Sequence, residues 1–210
     1  MAARDPVISD PVALDPVERV LRALAAPAPV SSDFDLNPDY RPPQGLVLQP
    51  AAVLLTLAPG RDEPRVVLTR RSSHLRDHPG QIALPGGKIE PTDAGPEAAA
   101  LREAQEEVGL LPAMVEVLGR MPPHETVTGY TVTPVLGRIR DDFLPVPDAT
   151  EVEEVFFVPL SHLTDLSRYR VERRRWRGVW RNYYTVPWGP YYIWGATARI
   201  LRGLAERLGP

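Results

Sequence analysis

Residues 51–57 read AAVLLTL, a continuous apolar run bounded by prolines at 50 and 59. Such a run suits a buried strand, so the chain must build an interior sheet to receive it. The segment from Pro59 to Pro64 reads as a turn, and RVVLTRR, 65–71, as a second strand. With 43% hydrophobic and 24% charged residues in 210, there is enough apolar material to bury that sheet. The length suits one domain with extensions.

Further along, QIALPGG, 81–87, reads as a short strand ending in glycines. PEAAALREAQEEVG, 96–109, is a helix opened by Pro96 and stopped by Gly109. VEVLGRM (115–121), YTVTPVLGRI (130–139) and EVFFVPL (154–160) are three more strands. The stretch 170–186 reads as a hairpin turning near Gly178, and 197–208 as a closing amphipathic helix. Strand-to-strand joins between 111 and 187 predict an α+β fold with a mixed sheet, not a βαβ array. Near the start, Asp15 and Pro16 read as the N-cap and first turn of a short helix through Leu24. The first fifteen residues are expected to be loosely ordered, and 26–45 to be an irregular connection. This divides the chain into an extension, 1–45, and a domain, 46–210.

Net charge is −3, which gives no basic field to attract nucleic acid. The absence of cysteine excludes disulfides, thiolate metal sites and cysteine nucleophiles. The N-terminus has no apolar core of a secretory signal. The most apolar stretch, 46–59, is too short and too interrupted by Gln49 and Pro50 to span a bilayer. A cytoplasmic protein with no membrane partner is expected.

Within the helix, LREAQEEVGL carries Arg102, Glu103, Glu106 and Glu107. At about 100° per residue, Glu106 lies near 300° and Glu107 near 40° from Glu103, so the three acids share one arc. Like charges so spaced destabilise a bare helix by roughly a few tenths of a kcal/mol per pair. A solvated acidic face would explain them. Against that, Ala100, Ala104 and Val108 form a small-residue stripe suited to close packing, and the helix follows a Pro-Gly-Gly turn whose backbone can serve a ligand. Three clustered carboxylates without a lysine in the helix suit a hard divalent cation, Mg²⁺ or Mn²⁺.

Residues 86–110 resemble the signature of the Nudix hydrolases, G-x5-E-x7-R-E-U-x-E-E-x-G-U with U apolar. Gly87, Arg102, Glu103, Ala104, Glu106, Glu107, Gly109 and Leu110 match. Asp93 stands where the first glutamate is expected, and eight residues instead of seven separate it from Arg102. The resemblance implies an α/β/α sandwich with a mixed sheet and a loop-helix-loop catalytic motif. It also implies hydrolysis of a nucleoside diphosphate linked to another moiety. Glu103, Glu106 and Glu107 would hold the metal, with Gly87 offering a backbone ligand, and Arg102 would orient a glutamate through an ion pair. The proton acceptor is open between helix acids and Glu151, Glu153 or Glu154.

Upstream, 67–87 resembles the additional motif of the coenzyme A pyrophosphatase branch, L-L-T-x-R-[SA]-x3-R-x3-G-x3-F-P-G-G. Leu68, Thr69, Arg71, Ser72, Arg76, Gly80, Pro85, Gly86 and Gly87 match, while Val67 replaces a leucine and Leu84 the phenylalanine. Coenzyme A carries a diphosphate and a separate 3′-phosphate, and Arg71 and Arg76 offer planar forks for such oxygens. Substrate contacts are expected from Arg71, Ser72, Arg76, Gly80 and Gln81. YYIWGATARIL, 191–201, also resembles this branch. Tyr191, Tyr192 and Trp194 there read as core or subunit interface, which admits a homodimer. Arg173 to Arg175 and Arg177 read as a solvated hairpin face that could also attract an anion. The expected reaction is cleavage of coenzyme A or acyl-CoA to 4′-phosphopantetheine and adenosine 3′,5′-bisphosphate. The alternatives are a Nudix hydrolase of ADP-ribose, dinucleotides or related diphosphates, and a non-catalytic nucleotide sensor.

Overall fold

The computed structural model describes residues 15–39, 45–176 and 178–209. The expectation for residues 1–14 lies outside these, as do Arg177 and the side chain of Trp176. The elements run α1 (Pro16–Ala25), β1 (Ser31–Ser32), β2 (Gln49–Ala58), β3 (Arg65–Arg71), β4 (Ile82–Ala83), β5 (Gly86–Lys88), α2 (Pro96–Val108), β6 (Val115–Arg120), β7 (His124–Glu125), β8 (Tyr130–Ile139), β9 (Val152–Pro159), α3 (Leu160–Thr164), β10 (Arg170–Trp176), β11 (Val179–Thr185) and α4 (Gly195–Leu208).

Nine strands form one mixed sheet in the order β1-β7-β8-β2-β3-β4, with β5 also on β2, β6 on β8 and β9 on β3. The apolar run of β2 lies at its centre, paired in parallel with β8 from Gln49↔Tyr130 to Leu57↔Arg138. It is buried on both faces. Ala52, Leu54 and Ala58 pack with Ala99, Ala100, Ala104 and Val108 of α2. Ala51, Leu55 and Leu57 pack with α1, α3 and α4 through Val17, Val20, Leu163, Leu201 and Leu204. Helices therefore cover both faces of the sheet, which is why β2 shows no polar alternation.

β3 pairs with β2 only at Leu57↔Val66 and Ala58↔Arg65, then diverges. The gap receives the glycine turn. Pro85 accepts a hydrogen bond from the Leu54 N–H at 2.7 Å, and β5 continues along β2 from Val53↔Gly86 to Ala51↔Lys88. Only glycine fits at position 86. Its φ is +153°, and a β-carbon there would lie 2.6 Å from Val53 Cα. The expected single strand over 81–87 is thus two short strands, broken at Leu84 and Pro85.

α2 ends on Gly109 in the left-handed conformation, φ +72°, with Leu110 N–H reaching back to Ala104 O at 3.2 Å. α1 contributes Val17, Val20 and Ala23 to the buried interior. Part of the expected irregular connection is ordered into β1, which pairs in parallel with β7. His124, fully buried, bonds Ser31 Oγ at 3.0 Å and Asp33 Oδ1 at 3.1 Å. The hairpin β10–β11 forms a separate two-stranded sheet. Among the described residues no helix is long and apolar enough to cross a membrane.

Candidate active site

The divergence of β2 and β3 positions the glycine turn directly against α2. Glu107 points inward from the last turn of the helix and is 4% exposed. Its Oε2 accepts a hydrogen bond from Gly86 N–H at 3.1 Å, and Arg71 Nη1 lies 3.8 Å from Oε1. Glu103 lies one turn earlier, against Gly87. A β-carbon at 87 would come within 2.6 Å of the Glu103 carboxyl carbon, so the missing side chain is what leaves room for that carboxylate. Glu106 is the outer member, with its side chain 58% exposed.

Arg102 organises the outer side. Its Nη1 donates to Glu103 Oε1 at 3.1 Å and to Glu106 Oε2 at 2.9 Å. Its other donors form a fork on Asp93, Nε to Oδ1 at 3.1 Å and Nη2 to Oδ2 at 3.0 Å, and Nη2 also reaches Lys88 O at 3.1 Å. Asp93 in addition accepts from Glu90 N–H at 2.8 Å. The shorter side chain and the extra residue therefore compensate: Asp93 closes its own loop and anchors Arg102 from below. The Arg102 hydrogen bond, more than any other influence, holds the Asp93 carboxyl below the usual carboxylate range. Asp93 in turn holds the Arg102 guanidinium above its ordinary value.

The inner pair is electrostatically uneasy. Burial pushes the Glu107 carboxyl up to about 8, with the charges of Glu103 and Glu151 adding to the shift and Gly86 N–H and Arg71 opposing it. Burial also raises Glu103, reinforced by Glu106 and Glu151 and opposed by Arg102. Glu151, in the turn before β9, adds its charge to both shifts, and its backbone carbonyl accepts from Ser72 N–H at 2.8 Å. Arg70 pairs with Glu153 and Glu154 at 3.3 and 3.2 Å, and Glu154 also accepts from Tyr191 Oη at 2.6 Å.

Among the described residues no three His, Asp or Glu side chains already form a closed cage. The donor set nevertheless fits a hard divalent cation. It is made of carboxylate oxygens, two of them desolvated, whose mutual repulsion the arginines only partly offset. Glu103, Glu106 and Glu107 could hold such an ion beside the Gly87 backbone.

The upstream loop leaves β3 at Arg71, beside this cluster. Arg71 N–H donates to Gln81 O at 3.0 Å, and Gly80 N–H donates to Arg71 O at 3.1 Å, so the loop folds back on itself with Gly80 at φ +70°. Ser72 is buried and turned away from solvent. Its N–H donates to Glu151 O at 2.8 Å and its Oγ accepts from His74 N–H at 3.4 Å, which is a loop-holding position. Arg76 is exposed on the outside of the loop. Leu84 is buried at 3% within the main core, so its replacement of phenylalanine alters packing and not a substrate-facing surface.

Two adjoining cavities open beside the loop, of about 630 and 300 Å³. His78, Gln81, Arg174 and Trp194 line both, and Gly80 lines the larger one. Arg71 lines the smaller, so that cavity joins the carboxylate cluster through one guanidinium. All three aromatic residues read as core or interface line a cavity: Tyr191, which also stacks on Phe156 at 3.6 Å, and Tyr192 line the larger, and Trp194 lines both. Asp33 and Asn37 from the extension, and Arg181 and Asn182 from the hairpin, also line the smaller cavity. None of these carries a local sequence signal, because each reaches the site only through tertiary pairing.

A family model described as the NUDIX domain matches residues 47–178. The chain belongs to the Nudix family. Similar proteins include the uncharacterized Nudix hydrolase NudL of Enterobacter sp. (strain 638), 47% identical, and that of Escherichia coli (strain K12), 46% identical, each over 76% of this chain and 82% of the relative. Among solved structures, the Nudix hydrolase RenU from M. Smegmatis is 26% identical with a TM-score of 0.48, covering 58% of this chain and 83% of that one. As a Nudix hydrolase the protein is a pyrophosphohydrolase acting on nucleotide derivatives, and Nudix hydrolases generally use divalent metal ions. The α2 cluster with its glycine turn carries the residues that match the family signature, with Asp93 in place of its first glutamate.

Proposed function

We propose that this Nudix hydrolase cleaves the diphosphate of coenzyme A, giving 4′-phosphopantetheine and adenosine 3′,5′-bisphosphate. The observation that carries the reading is the position of Arg71. This arginine of the upstream motif stands 3.8 Å from Glu107 and also lines the adjoining cavity. Its fork thus lies where a diphosphate bridging the two would pass.

When bound, Mg²⁺ or Mn²⁺ would neutralise the diphosphate and make water more acidic. Glu103, Glu106 and Glu107 would hold the ion, and Arg102, anchored by Asp93, would fix Glu103 and Glu106 in place. Arg71 would orient the diphosphate oxygens, and Gly80 and Gln81 would shape the loop against the substrate. Water adds to one phosphorus, the bridging P–O bond breaks, and the second phosphate leaves with the bond's electrons. Glu151 is the assigned acceptor of the water proton, because its charge reaches both inner glutamates while Glu153 and Glu154 are engaged by Arg70. Ser72 would support the loop, and Arg76 would meet substrate only from the outer rim.

The test is turnover by the purified full-length chain with Mg²⁺ or Mn²⁺, on coenzyme A, acyl-CoA, ADP-ribose and dinucleotides, with products identified by mass. Coenzyme A should give the two named products at the highest kcat/KM. A clear preference for ADP-ribose would overturn the assignment.

A further inference from the structure

The hairpin β10–β11 carries an arrangement that catalysis at α2 does not use. Its register sets Arg174 directly opposite Arg181, on the face that also bears Glu172 and Tyr183. Like charges facing one another across a strand pair are destabilising. Both side chains line the 300 Å³ cavity that Arg71 enters from the catalytic side. Arg174 lies 5.0 Å over the Trp194 ring, and among the described residues no carboxylate pairs with it. Stacking on a ring face leaves the in-plane N–H donors of a guanidinium free for an anion. The acid in the cavity wall, Asp33, is already engaged by Val127 N–H at 2.9 Å and by His124 Nε2 at 3.1 Å.

The hairpin is also fastened where it must be to serve a ligand. Asn37 Oδ1 accepts from Asn182 N–H at 2.8 Å, Asn37 Nδ2 donates to Asn182 O at 3.0 Å, and Asn182 Nδ2 donates to Leu36 O at 3.0 Å. This clamp lies one residue from the Arg174–Arg181 rung. The segment before β2 therefore holds the strand that carries Arg181, next to the cavity.

We propose that this cavity is a phosphomonoester subsite, in which Arg174 and Arg181 bind a second phosphate carried on the ribose of the substrate, away from the diphosphate under attack. The proposal rests on the coenzyme A reading, since that substrate carries such a group. It makes Arg174 a specificity residue.

The experiment compares coenzyme A with dephospho-coenzyme A, which lacks the 3′-phosphate, using the full chain and the variants Arg174→Ala and Arg174→Lys. A charge-assisted pair predicts a KM for coenzyme A roughly tenfold below that for dephospho-coenzyme A in the unmodified protein. Arg174→Ala should raise the first KM until the two substrates are nearly equal, with the change in KM and not in kcat, and Arg174→Lys should fall between. Equal KM values in the unmodified protein, or equal losses on both substrates in Arg174→Ala, would overturn the subsite. If neither compound is cleaved, the coenzyme A reading fails, and the subsite is judged by calorimetric binding of adenosine 3′,5′-bisphosphate against AMP. Roughly tenfold tighter bisphosphate binding that Arg174→Ala abolishes upholds it; equal binding of the two nucleotides rejects it.

Discussion

The molecule crowds like charges in two places and handles them in opposite ways. On α2 the acids are gathered by helical spacing, and two of the three are driven into the protein against the glycine turn. Arg102 serves the outer side, and the inner side is left short of positive charge. On the hairpin the arginines are gathered by strand register and remain at the mouth of a cavity, with an aromatic ring for company. The first arrangement asks for a cation held by oxygens, and the second for an anion held by forks. A diphosphate ester that carries a divalent cation and a further phosphate would satisfy both, the cation at α2 and the phosphate at the hairpin, with Arg71 standing between them.

The comparison is broken most severely at the carboxylates. Glu107→Gln should lower kcat by about a thousandfold, because the inner carboxylate proposed to hold the metal becomes a neutral amide. Its melting temperature should hold or rise, since the buried acid is replaced by a neutral isostere. Steady-state kinetics together with thermal melting decide this. Unchanged turnover would remove Glu107 from the site.

The glycines separate chemistry from folding. A β-carbon at Gly87 meets the Glu103 carboxyl group, a side-chain end that can swing aside, whereas at Gly86 it meets the Val53 and Ala52 backbone, which cannot. Gly87→Ala should therefore cost activity, roughly tenfold to a hundredfold through a displaced carboxylate, with little loss of stability. Gly86→Ala should cost about 1–3 kcal/mol of stability, seen as a lowered midpoint in urea. Matching stability losses in the two variants would refute the distinction.

The charge shortage at α2 has a signature in pH. Glu107 has its folded-state value raised from 4.5 to about 8. Between these the folded protein binds more protons than the unfolded chain, so stability falls as pH rises through the window. For metal-free protein the urea midpoint should decline from about pH 4.5 to about 8, and saturating Mg²⁺ or Mn²⁺ should flatten the decline. A midpoint that rises across that range without metal would contradict the assigned burial.

These two regions also differ in how far the sequence discloses them. The α2 site is built almost wholly from residues 86–109, and i, i+3 and i+4 spacing announces which acids share a face. The apolar run of β2, the stop at Gly109 and the turn at Gly178 are equally local. Asp93 was visible as a misfit, but that it would reach Arg102 despite the extra residue depended on its loop bending back through Glu90. At the hairpin, Arg173, Arg174 and Arg175 are consecutive, and only the register decides that Arg174 turns to the cavity while Arg173 covers Trp180 at 4.6 Å. His124 with Ser31 and Asp33, and Asn37 with Asn182, join residues 91 to 145 positions apart. Each is an ordinary polar residue until the fold brings its partner, so no pattern in the chain marks it.

The smallest expected effect tests whether that distant clamp matters to the hairpin. Asn37→Ala removes an acceptor and a donor from Asn182 and one donor to Asp33 O. These bonds are solvent-exposed or half-buried, so water replaces part of what is lost. The net cost should be about 1 kcal/mol, a drop in Tm of roughly 2–4 °C for a domain of this size. If the clamp served stability alone, nothing further would follow. Because it adjoins the Arg174–Arg181 rung, loosening it should also raise the KM for coenzyme A by roughly two- to threefold, with kcat nearly unchanged because α2 is untouched. Asn37→Asp sharpens the point. It keeps the acceptor for Asn182 N–H but sets a carboxylate against Asn182 O and near two guanidiniums, where it would compete with a substrate phosphate. Its KM should therefore exceed that of Asn37→Ala even if its Tm is higher. An Asn37→Asp KM at or below the alanine value would mean that the hairpin arginines do not meet an anion there.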